Sequence, residues 1–164
     1  MFQSFEVTSR PEQGPPRLAA LRAELKAEGL DGFLVPRADA HQGEYVAPHD
    51  ERLSWLTGFT GSAGFCAALM DVAGVFIDGR YRTQVKAQVA DVYTPVAWPE
   101  VSLAEWLKAE LPGGGVVGFD PWLHAVGQIE QLEEALKGSG VKMQRCANLV
   151  DRIWHDQPAP PMFP

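Results

Sequence analysis

Titratable and ligating side chains are densest in Asp39-Ala-His41-Gln-Gly-Glu44-Tyr45, a run that continues to His49-Asp50. Asp39, His41 and Glu44 are oxygen and imidazole donors of the kind that can hold a divalent cation. Their spacing differs from His-Glu-x-x-His, in which two histidines one helical turn apart grip zinc. The spacing alone therefore selects no metal chemistry, and a loop that is solvated or braced by its own hydrogen bonds uses the same residues. A second stretch, Gly58-Phe-Thr-Gly-Ser-Ala-Gly64, is rich in glycine. Such loops cradle phosphate through backbone N–H groups when they open a helix. This one leads into an apolar run that reads as a strand. It lacks Gly-Lys-Ser/Thr, and Gly61, Ser62 and Gly64 are out of register for a Gly-x-Ser-x-Gly nucleophile turn. The expectation is a tight turn with close backbone packing. The third stretch is Asp78-Gly79-Arg80-Tyr81, where a strand gives way to a helix. Asp78 can cap that helix. Arg80 can grip a carboxylate ligand bidentately, or pair with Asp39 or Glu44 and tie two loops together. His124 and His155 have no partner visible in sequence.

These stretches need elements to position them. Pro15 and Pro16 open a helix whose Leu18, Leu21 and Leu25 share one face, and Gly29 stops it. Gly32–Val35 is a short apolar run and reads as a buried strand. Residues 36–50 read as a long loop, and Glu51–Trp55 as one helical turn. Gly64–Met70 and Gly74–Ile77 read as a hairpin turning at Asp71-Val-Ala-Gly74. Tyr81, Val85 and Val89 mark a helix face and Val92–Ala97 a strand. Ser102 with Glu105 forms a capping box ahead of Leu103, Leu107 and Leu111. Val116–Phe119 is a strand. Val126, Ile129, Leu132 and Leu136 mark a helix closed by Gly138. Val141–Arg145 is the sixth strand, and Asn148 caps a short helix to Trp154. Strands alternating with helices predict a single three-layer α/β domain, a six-stranded mixed β-sheet flanked by helices.

Composition agrees. The chain has 164 residues, 46% hydrophobic and 21% charged, an ordinary mixture for a globular protein. No apolar stretch reaches the ~18 residues that suggest a membrane span. The net charge of −7 has no basic stripe within it, which argues against nucleic acid as a partner. Met1-Phe-Gln-Ser-Phe-Glu-Val lacks the charged start and apolar middle of a secretion signal. Cys66 and Cys146 lie in apolar segments and read as reduced residues of a cytosolic protein. The five tryptophans read as core or interface rather than ligand cage. Four of the 13 prolines fall in the last seven residues, the composition of a stiff spacer. The expected organisation is a lead-in over 1–16, an α/β domain over 17–155 and a Pro-rich linker over 156–164 to further domains.

Four segments together resemble a known family. Ala38–Tyr45, Trp55-Leu-Thr-Gly-Phe-Thr-Gly-Ser-Ala-Gly64, Asp78-Gly-Arg-Tyr-Arg-Thr-Gln84 and Asn148-Leu-Val-Asp-Arg-Ile-Trp154 look like the N-terminal domain of cytosolic aminopeptidase P, in the creatinase/prolidase superfamily. The resemblance spans about residues 17–160. It implies a cytoplasmic, dimeric Xaa-Pro aminopeptidase that removes the residue preceding proline from peptides. It further implies two divalent ions, usually manganese, in a catalytic domain expected to be absent from this chain. This fragment is then expected to be inactive alone, with no catalytic residue and no metal site. The family's two metal aspartates lie eleven positions apart, as Asp39 and Asp50 do, but the sequence around that pair matches the first domain instead. Asp39, His41, Glu44, Tyr45 and Arg80 are expected at the rim of the substrate cleft. Two other readings stand beside this one: a free-standing α/β module holding an anion or small ligand near Arg80, and a small metal hydrolase built on Asp39, His41, Glu44, His49 and Asp50.

Overall fold

The structure, a computed structural model, describes residues 11–36, 51–59, 64–77, 85, 89–90, 92–98 and 100–158. A 3-10 turn, Pro11–Gln13, leads into α1, Gly14–Glu28. Pro15 and Pro16 cost α1 nothing because first-turn N–H groups have no helical partner. Gly29 ends it at φ 71°, its N–H reaching Leu25 and Lys26 carbonyls, a left-handed conformation that glycine adopts without a Cβ penalty. Then follow β1 (Gly32–Pro36), α2 (Arg52–Thr57), β2 (Phe65–Leu69), β3 (Ala73–Ile77) and β4 (Tyr93–Ala97). The chain continues through α3 (Leu103–Glu110), β5 (Gly115–Phe119), a 3-10 turn at Pro121–Leu123, α4 (Val126–Ala135), β6 (Val141–Arg145) and α5 (Leu149–Ile153). Before β4, the Val89 N–H donates to the Val85 carbonyl at 3.0 Å, a helical bond, and both side chains are buried. The capping box forms as expected: Ser102 Oγ accepts from Glu105 N, and Glu105 Oε1 from Ser102 N, each at 3.1 Å.

The six strands form one mixed sheet in the order β4-β3-β2-β1-β5-β6. β2 pairs antiparallel with both β1 and β3, and the other ladders are parallel. Alternation along each strand sends side chains to two cores. Phe33, Val35, Cys66, Ala68, Val75 and Ile77 pack beneath α1, α2 and α5. Leu34, Ala67, Leu69, Phe76, Val117 and Phe119 pack beneath α3 and the end of α4. The predicted three-layer α/β architecture with a six-stranded mixed sheet is therefore the observed one.

Two local expectations are corrected. The hairpin turns at Met70-Asp71, where Leu69 N–H meets the Val72 carbonyl at 2.8 Å, so Ala73 and Gly74 already belong to β3. Gly74 is placed by packing: a Cβ there would lie 2.9 Å from the Trp106 ring. In α4, Val126 is 68% exposed and so leaves the expected face, while Ile129 and Leu132 pack partly buried against the second core beside fully buried Leu136, just past the helix end.

Candidate functional site

The lone reversed strand decides where the sequence motifs meet the fold. Pro36 at the end of β1 pairs with Phe65 at the start of β2, and Phe65 pairs with Phe76 near the end of β3. Neighbouring strands lie about 4.8 Å apart, so three joints fall within roughly 10 Å along one sheet edge. They are where segments 37–50, 60–63 and 78–84 join the described fold. β4 and β5 end on the same edge, because they run parallel to β3 and β1. Asp39, His41, Glu44, Tyr45 and Arg80 lie outside the described residues, as do His49, Asp50, Ser62 and Asp78.

The described parts of two motifs have clear structural work. Thr57 Oγ1 donates to the Leu53 carbonyl and accepts from Phe59 N, closing the end of α2. Gly58 ends that helix at φ 89° and donates its N–H to the Ser54 carbonyl. At Gly64, φ is 153° and a Cβ would sit 2.9 Å from the Phe59 ring. These two glycines act in backbone geometry and close packing, the reading expected for the stretch. In the last motif, Asn148 Oδ1 caps α5 by accepting from Val150 N, while its Nδ2 donates to Asp120 Oδ2. Leu149 and Val150 are fully buried. Asp151 takes a bidentate pair from buried Arg52, with Nε at 2.7 Å and the other nitrogen at 3.1 Å. Arg152 bonds Glu28 at 2.7 Å and Glu24 at 3.3 Å on α1. Those two bonds raise the pKa of this exposed guanidinium further. Trp154 stacks on Trp55 at 5.4 Å, and Arg17 lies 4.4 Å from the Trp55 ring centre. Arg17 also donates to the Trp55 carbonyl at 2.6 Å. Partial burial lowers the Arg17 pKa while Asp156 opposes that shift.

On the second face, at the same sheet edge, α3 and α4 leave a cleft of about 500 Å³. Leu34, Pro36, Phe65, Trp98, His124 and Leu132 line it. His124 was not singled out as a site residue by its sequence context. Asp120 Oδ1 accepts from Trp122 N and shapes the turn that delivers His124, and the Asp120-Pro121 pair was the available signal. The imidazole meets Phe119 edge-to-face at 5.8 Å. Its Nε2 is shielded from solvent and has no hydrogen-bond partner among the described residues. Burial lowers the His124 pKa, with Asp120 opposing, so the ring is neutral near pH 7 and Nε2 can donate or accept according to tautomer. Both cysteines are free. Burial pushes the Cys66 thiol up to about 12, which makes it a poor nucleophile. Among the described residues no three His, Cys, Asp or Glu side chains come together as a metal set, and no helix is long and apolar enough to cross a membrane.

Comparison with known proteins adds the following. Residues 17–153 match the family model described as Creatinase/Prolidase N-terminal domain. The chain is 39% identical over 147 residues to human Xaa-Pro aminopeptidase 2, covering 87% of this chain and 22% of that protein. It therefore spans about a fifth of the length of the curated relatives it matches. A solved X-prolyl aminopeptidase of Caenorhabditis elegans, described as a cytosolic enzyme with a di-nuclear active site, superposes with a TM-score of 0.78 at 31% identity. That match covers 88% of this chain and 26% of the other. The N-terminal domain of the cytoplasmic peptidase PepQ of Mycobacterium tuberculosis superposes with a TM-score of 0.65 at 26% identity, covering 84% and 98%.

Proposed function

Because the chain belongs to the Creatinase/Prolidase N-terminal domain family, we propose that it is the non-catalytic first domain of a longer, metal-dependent Xaa-Pro aminopeptidase. The observation that carries this reading is one of coverage: a 39% identical Xaa-Pro aminopeptidase matches 87% of this chain with only 22% of its own length. Cleavage before proline breaks a tertiary amide with no N–H. Recognition must therefore use the ring and the free peptide N-terminus.

In this reading Asp39, His41, Glu44, Tyr45 and Arg80 form part of the rim that admits the peptide end. The joints of segments 37–50 and 78–84 at one sheet edge support that grouping. Arg80 supplies a fixed positive charge for a peptide carboxylate or carbonyl. Two divalent ions, expected to be manganese, would belong to the catalytic part. This proposal places the chemical step there as well; among the described residues no three potential metal ligands come together. The parent enzyme is cytoplasmic and dimeric in this proposal.

The test is to assay the purified chain on an Xaa-Pro peptide with added Mn²⁺. No turnover is expected. Robust turnover, lost when Asp39 or His41 is replaced, would overturn the proposal and favour a small metal hydrolase.

A further inference from the structure

We draw no further inference here: the strongest candidate, the exposed apolar surface of Trp122 and Val126 where the turn after β5 enters α4, carries nothing because nothing in the structure shows what covers it.

Discussion

Asp151 joins three parts of the chain: it accepts two bonds from Arg52 on α2 and one from Gln157 Nε2 at 3.0 Å. Arg52 is only 5% exposed, so its charge depends on pairing more than a surface arginine's would. Asp151→Ala should therefore cost about 2 kcal/mol by urea denaturation, below the ~3–5 of a fully buried pair because Asp151 is itself partly solvated. An unchanged midpoint would show that the pair contributes little. Gly74→Ala should cost about 1–3 kcal/mol, since the new methyl meets the Trp106 ring. His124 gives a pH signature. Its folded pKa is lowered, so the unfolded chain binds the proton more readily, and stability falls as pH drops from about 6.5 through the folded value. His124→Phe should flatten that part of a stability profile recorded between pH 7 and 4.5. Neither Arg52 nor His124 stood out in the sequence. A charged residue on a short helix is usually exposed, and the orphaned nitrogen arises from contacts the chain makes only after folding.

Among the elements, α1 and α4 sit at opposite ends of a scale of attachment. α1 buries Leu18, Leu21 and Leu25, each worth about 1.5–3 kcal/mol. α4 buries nothing fully and lies beside the cleft. Amide hydrogen exchange should therefore open α4 at a lower free energy than α1; equal protection would contradict this. Ser102→Ala should destabilise the chain by about 1 kcal/mol through loss of the α3 cap. The capped elements were the legible ones. Pro15-Pro16, Gly29, Ser102-x-x-Glu105 and Asn148 each mark a boundary by local chemistry. The hairpin corner was misplaced because Gly74 resembles a turn residue, whereas a tryptophan 32 positions later explains it. α4 was read as an amphipathic helix from period alone, and period does not tell how much of a face is covered. The motifs were legible as a resemblance, and the roles of the residues within 37–50 and 78–84 remain proposals that rest on where those segments join the sheet.

At the scale of the whole molecule, α5 closes the first core by touching α1 through Arg152, α2 through Asp151 and Trp154, and the β5 exit through Asn148. A chain ended at Arg145 should lose its cooperative thermal transition, and one ended at Pro158 should keep it. A sharp melt from the shorter form would show the α5 contacts to be dispensable. The strand order also implies a sequence of events in time. β2 meets β3 across a two-residue corner, whereas Asp31 must find Val116 from 85 positions away before β5 can lie beside β1. Loop closure is entropically dearer over the longer span. Pulse-labelled exchange during refolding should protect the β2–β3 ladder before the β1–β5 ladder. Simultaneous protection would mean that the sheet condenses as one unit. If the order holds, a nascent chain can assemble the edge that carries its three motif joints while β5 and β6 are still being made.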